Sequence, residues 1–112
     1  MREKEKVDSI RRWFEKTGGG SLLLPDGWFE GAEDDILSLT FIEFLPHKLI
    51  IELNTQVLLV FTEPKAIRTN ESELIFEQYL QCVIDWQDFG VMDPHVSSYT
   101  SGTVKFIEPR SH

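Results

Sequence analysis

Short apolar runs bounded by turn residues recur along much of the chain, which is a pattern of buried β-strands. The clearest example is the segment 48–62, KLIIELNTQVLLVFT, in which two apolar runs flank Asn54-Thr55. This dipeptide suits a two-residue turn, so we expect a hairpin in which Leu53 faces Gln56 and Ile51 faces Leu58. In that register both faces are apolar and both need a cover. One face carries Leu49, Ile51, Leu53, Leu58 and Val60, and the other carries Ile50, Val57, Leu59 and Phe61.

A different period marks residues 1–17 as a helix. Val7, Ile10, Trp13 and Phe14 recur at helical spacing, which gathers them on one face. The glycine triplet that follows ends the helix, and we interpret residues 18–21 as a Gly-rich hinge. The remaining residues, 22–108, are expected to form a mainly β body, so that residues 1–112 make a single domain.

Further strands are expected in the second half of the body. Residues 36–44 are rich in β-branched and aromatic side chains, and residues 62–71 are expected to be a loop. Residues 72–86 fit a helical and an extended pattern about equally. We favour one bent strand or two consecutive strands there, and a helix stays open as the alternative. Near the end of the chain, residues 95–100 and 103–108 flank Ser101-Gly102, which predicts a second hairpin with Val104 and Phe106 facing inward.

These elements predict an α+β fold, with the N-terminal helix packed on a mainly antiparallel, strongly bent sheet of five or six strands. One amphipathic helix covers only one face of such a sheet. The second face is closed if the sheet rolls into a partial barrel, if it folds onto itself as a sandwich, or if it meets a second subunit.

The distribution of charged residues limits the classes of partner that this chain is expected to bind. The formal net charge is −8. Residues 1–17 carry six basic groups and four acids, whereas residues 18–112 carry five basic groups and fifteen acids. Such an acidic body repels phosphate backbones, so we expect no nucleic-acid binding and a basic protein as partner. No apolar run reaches the ~20 residues of a membrane span. The only cysteine, Cys82, has no intramolecular partner for a disulfide, and we expect a cytoplasmic protein.

Two groups of residues are candidates for function. An acidic segment holds an aromatic pair that is suited to anchoring a basic partner, and we take these residues as the partner-binding site: Trp28, Phe29, Glu33, Asp34 and Asp35. The alternative is a pocket for a small enzyme or a ligand-binding barrel, formed by Tyr79, Asp85, Asp88 and His95.

No spacing in the chain matches a known catalytic or metal-ligand motif, so we name no catalytic residue, metal or cofactor. Cys82 lies within an apolar pattern and is interpreted as a buried structural residue. The leading hypothesis is therefore a non-enzymatic interaction domain, with a second copy of the chain as a further candidate partner. In composition alone the chain is similar to small immunity, antitoxin or regulatory proteins.

Overall fold

The computed structural model describes residues 3–28, 36–86 and 95–108. Within these ranges the chain forms one helix, α1 (Glu3–Thr17), followed by strands only. The strands are β1 (Ser21–Leu24), β2 (Gly27–Trp28), β3 (Leu39–Leu45), β4 (Lys48–Leu53), β5 (Val57–Thr62), β6 (Ala66–Thr69), β7 (Glu73–Gln78), β8 (Gln81–Trp86), β9 (His95–Tyr99) and β10 (Val104–Ile107).

The strands form two antiparallel sheets of five strands each. The first sheet has the order β2-β1-β10-β7-β6, and the second has the order β3-β4-β5-β8-β9. The prediction of a helix combined with antiparallel strands is confirmed. The partial barrel or roll is not confirmed, because neither sheet is closed and the strands divide between two sheets rather than one.

The hairpin of β4 and β5 differs from its predicted register by one residue. Its turn has three residues: Asn54 and Thr55 have φ values of 52° and 55°, and the Gln56 N–H donates to the Leu53 carbonyl at 3.0 Å. Leu53 therefore faces Val57, which brings all the fully buried residues of the hairpin to one face. That face holds Leu49, Ile51, Leu53, Val57, Leu59 and Phe61. A one-residue shift exchanges the two faces of a strand, so the hairpin has one fully buried face, while Ile50, Leu58 and Val60 lie half-buried on the other.

Two pairs of consecutive strands, β5 with β6 and β7 with β8, carry the chain from one sheet to the other. β5 and β6 run alongside β8 and β7, first in the second sheet and then in the first. Hydrogen bonds continue across the crossing point, from Lys65 N to Gln78 O at 2.7 Å and from Leu80 N to Thr62 O at 2.8 Å. The extended interpretation of residues 72–86 is confirmed as two consecutive strands. The loop predicted for residues 62–71 is wrong in part, because it contains β6.

Aromatic side chains from both sheets meet in the core. The rings of Phe61 in the second sheet and Phe76 in the first stack with centroids 4.3 Å apart. Val104 and Phe106 are fully buried, as predicted. The hairpin predicted around Ser101-Gly102 is wrong, however, because β9 pairs with β8 whereas β10 lies between β1 and β7. The two apolar segments are adjacent in the chain but contribute to opposite sheets.

Helix α1 packs beside the edge strands β3 and β6. Ile10, Trp13 and Phe14 are buried on its inner face, and the rings of Phe14 and Phe106 make an edge contact at 5.2 Å. The helix thus covers one open side of the two-sheet core instead of a sheet face.

The glycines after the helix, which the sequence suggested as a hinge, are held by hydrogen bonds and close packing. Gly20 exchanges two backbone hydrogen bonds with Leu37, at 2.8 and 3.1 Å. A Cβ atom at Gly20 would lie 2.9 Å from the Ile107 carbonyl oxygen, so any other residue at this position must displace a neighbouring atom.

Candidate functional site

Only part of the predicted partner-binding site falls within the described residues. Trp28 lies in β2, opposite Leu23, which is in turn opposite Lys105. Directly opposed residues share a face, and Leu22 and Leu24 point to the core. Trp28 therefore lies on the outer side of the first sheet, half-buried and in the same row as a basic residue. Phe29, Glu33, Asp34 and Asp35 lie outside the described residues.

The structure does not bring Tyr79 and Asp85 of the alternative pocket together. Tyr79 precedes β8, and Asp85 lies near the other end of that strand. Six residues of extended chain separate them, which is about 20 Å. Asp88 lies outside the described residues. Of His95, only the backbone position opposite Trp86 is described.

Tyr79 borders a cavity of ≈ 560 Å³ at the crossing between the sheets. Its hydroxyl donates to the carbonyl of Gly102 at 2.6 Å, which ties the connection between β9 and β10 to this corner. Burial, more than any charge, raises the pKa of Tyr79 to about 12. The phenol is therefore neutral at physiological pH and acts as a structural hydrogen-bond donor.

Cys82 is fully buried in β8, in agreement with its predicted structural role. Burial raises the pKa of its thiol to about 12. The thiolate is the nucleophilic form of cysteine, and it is absent from such a thiol at neutral pH.

Metal-ligand and membrane signals were also sought in the described ranges. Residues 3–28, 36–86 and 95–108 contain no group of three or more His, Cys, Asp and Glu side chains placed to hold a metal ion. The helix that the structure describes is too short and too polar to cross a bilayer.

The outer side of the second sheet is an apolar surface that no other described element covers. Four half-buried aliphatic residues form its centre, and exposed Phe41 and Val96 lie at its two edges, with 48% and 60% of their surfaces accessible. The central residues are Ile50, Leu58, Val60 and Val83. We call this surface, formed by the outward-facing residues of β3, β4, β5, β8 and β9, the open face.

Carboxylates surround the apolar centre of the open face. Glu52 and Asp85 stand on either side of Leu58, in a row that runs across the sheet from Phe41 to Val96. Glu43 lies beside Ile50 in the next row. One lysine, Lys48, faces the same way at the end of β4. An apolar centre within a charged rim is the usual layout of a protein-binding surface.

The sequence identified only part of this surface. Ile50 was correctly placed on a face that needs a cover, but the predicted register assigned Val57, Leu59 and Phe61 to the same face. The structure replaces these three with Leu58 and Val60. The pair Asn54-Thr55 has the two left-handed conformations of a two-residue turn, so the pair by itself gave no signal that Gln56 would be added to the loop.

Comparison of the chain with protein-family models, with curated proteins and with solved structures found no match.

Proposed function

We propose that this protein is a non-enzymatic interaction domain whose open face binds a folded protein partner with basic side chains. The observation that carries the proposal is the apolar centre of the open face, in which Val60 lies between Ile50 and Val83 and Leu58 has a carboxylate on each side. Contiguous exposed apolar patches with polar rims are typical of protein-binding surfaces, whereas scattered single apolar residues are not.

The dimensions of the open face suit this role. Each of the five strands contributes about five residues, counted along the strand without regard to the face. At the usual strand spacing and rise per residue, the sheet therefore covers an area of about 400 Å² in projection. A standard interface buries ~800 Å² of accessible surface on each partner, and its fully desolvated core is only part of that area. The open face is therefore large enough to be the core of an interface.

The charge layout selects the partner. Glu43, Glu52 and Asp85 outnumber Lys48 on the open face, and the whole chain has a net charge of −8. Opposite charges on two surfaces accelerate their encounter and suppress wrong partners. A basic protein fits this surface, whereas a second copy of the chain would bring like charges together.

The chemistry of the buried groups agrees with a binding role. Tyr79 and Cys82 are the described groups whose pKa values rise to about 12, and both are protonated at neutral pH. Neither group therefore provides a base or a nucleophile. The predicted site of Trp28, Phe29, Glu33, Asp34 and Asp35 remains a separate prediction for the same kind of partner.

The test begins by locating the contact. A photo-crosslinking amino acid is placed at Val96, on the open face, or at Glu71, an exposed residue in the turn between β6 and β7 of the first sheet. The crosslinked protein is identified from cells and purified, and its affinity is then measured by calorimetry at low and high salt. We expect a crosslink from position 96 and none from position 71.

Charge reversal then tests the physical basis. Glu52→Lys should weaken binding by about ten-fold and should reduce its salt dependence, because one favourable charge becomes unfavourable. Glu71→Lys makes the same charge change away from the open face and should have little effect. If the two variants bound equally well, or if binding did not depend on salt, the open face would not be the docking surface.

A further inference from the structure

A groove runs between helix α1 and the edge strand β3. Two adjoining cavities, of ≈ 420 and ≈ 310 Å³, make up its length, and Arg11 borders both. The larger cavity is walled by Phe14 and Glu15 of the helix and by residues 38–42. The smaller cavity continues to Phe44 and is walled by the first turns of the helix.

The larger cavity follows the backbone edge of β3. Successive residues of a strand point to opposite sides of the sheet, so a cavity on one face contacts alternate residues only. This cavity contacts five consecutive residues, from Ser38 to Ile42, including inward-facing Ile42 and outward-facing Phe41. It must therefore lie along the edge, where the backbone N–H and C=O groups that do not bond β4 are directed.

The edge of β3 is suited to pairing with another strand. Among the described residues, β4 is the only strand paired with it. The sequence of β3, LTFIEFL, contains no proline or lysine, the residues with which proteins usually protect such edges. A bulge at Thr40 leaves Phe41–Leu45 in regular register. Ile36 and Leu45, which lie near the two ends of the groove, are 49% and 37% exposed.

Arg11 gives the groove a binding site for a negative charge. Its guanidinium has no ion-pair or hydrogen-bond partner within the described part of the chain, although Asp8 and Glu15 lie one helical turn to either side. A guanidinium offers several donors in one plane, which matches the two oxygens of a carboxylate.

We propose that this groove binds an extended peptide segment that adds as a further strand to β3 and places a carboxylate on Arg11. The backbone of the peptide pairs with the edge of β3, and its apolar side chains pack between Phe14 and Phe41. This is the β-augmentation mode of peptide recognition. The site meets the open face at Phe41 and differs from it in its occupant, since it takes an extended acidic segment instead of a folded basic surface.

The probe is a phage-displayed library of random dodecapeptides, selected on the intact, immobilised 112-residue chain. Enriched peptides are synthesised, and their affinities are measured by fluorescence anisotropy. We expect alternation of apolar and polar residues with at least one Asp or Glu. In ¹⁵N-labelled protein, amides of β3 should shift and become protected from hydrogen exchange on binding.

Backbone methylation separates strand addition from other modes. N-methyl groups at alternate peptide positions on the edge that faces β3 should lower affinity more than ten-fold, and methyl groups on the opposite edge should have little effect. If no peptide is enriched, if enriched peptides tolerate both methylation patterns, or if the amide shifts lie outside β3 and α1, the proposal is wrong.

Two pairs of variants test the walls of the groove. Arg11→Gln should lower peptide affinity by about ten-fold through loss of the charge-assisted contact, whereas Arg12→Gln, exposed on the same helix, should not. Glu15→Trp should fill the larger cavity and abolish binding, and Glu5→Trp controls for an added exposed tryptophan. Equal affinity within either pair would overturn the proposed binding mode. Asp85→Lys, in β8 of the open face and three strands away from β3, should leave peptide binding unchanged, which distinguishes failure of this site from failure of the open face.

Discussion

Two adjacent leucines in β5 test the register on which the open face depends. Leu59 is fully buried between Ile51 and Ile84, whereas Leu58 lies on the open face between Glu52 and Asp85. In the register with a two-residue turn, Leu58 would share the face of Ile51. Alanine substitution of each leucine therefore removes the same atoms from two very different environments.

The structure predicts a large difference between the two variants. Leu→Ala at a fully buried site costs about 3 kcal/mol, because the lost burial is combined with a residual cavity. At half-exposed Leu58 the cost should be about 1 kcal/mol or less, since part of the side chain is already in water and no internal cavity forms. A domain of this size has a stability of about 5–15 kcal/mol, so both variants should remain folded.

Urea unfolding, followed by circular dichroism and by tryptophan fluorescence, measures this difference. With a slope of about 1.5 kcal/mol per molar urea, a gap of 2 kcal/mol separates the two midpoints by about 1.3 M. Val57→Ala and Val60→Ala repeat the test with a second pair, since Val57 is fully buried and Val60 lies on the open face. If Leu58→Ala were as destabilising as Leu59→Ala, the three-residue turn and the assignment of the open face would both be wrong.

Four further predictions concern Cys82, Tyr79 and Gly20. The Cys82 thiol should not react with a thiol reagent at pH 8 in the native protein and should react on unfolding; rapid native labelling would contradict its burial. Because its folded pKa of about 12 lies above the ordinary value of 9.0, its contribution to stability is complete below pH 9 and is lost as pH rises toward 12. Wild type should therefore lose up to ~1.4 kcal/mol per pH unit more than Cys82→Ala in that range, as measured by urea unfolding, and parallel pH profiles would refute this. Tyr79→Phe should cost about 1 kcal/mol through loss of the hydrogen bond to Gly102, with amide shifts confined to the connection between β9 and β10; unchanged stability would show that this bond has no net value. Gly20→Ala should cost about 2 kcal/mol in thermal or urea unfolding, because the added Cβ must displace the Ile107 backbone or the Trp13 ring, and a neutral result would contradict this close packing.

Local patterns were sufficient to predict many of the elements. The helical spacing of Ile10, Trp13 and Phe14 predicted both α1 and its buried face, since a single helix displays its own period. Alternation in residues 72–86 favoured extended structure but left a helix open, and the crossing between the sheets lies where Leu80, which fits the alternating pattern, is exposed. β6 escaped prediction because the strand has only four residues, AIRT, of which two are polar.

The candidate sites depended more strongly on tertiary structure. The sequence pointed to an acidic segment near Trp28 and to polar residues near Tyr79. The open face was predicted only in part, because its composition depends on the register of β4 and β5, and the groove beside Arg11 was not predicted, because its walls are distant in the chain. The groove joins residues of α1 to residues of β3, and no local pattern records that contact.

The sequence by itself determined the N-terminal helix, the predominance of antiparallel strands, the burial of Cys82 and the acidic charge. These properties follow from short-range periodicity and composition. Tertiary structure decided the register of β4 and β5, the division of the strands between two sheets, and the position of the helix at the edges of β3 and β6. The physical reason is that a one-residue change in a turn exchanges the faces of a strand, and only packing against the opposite sheet shows which face is buried.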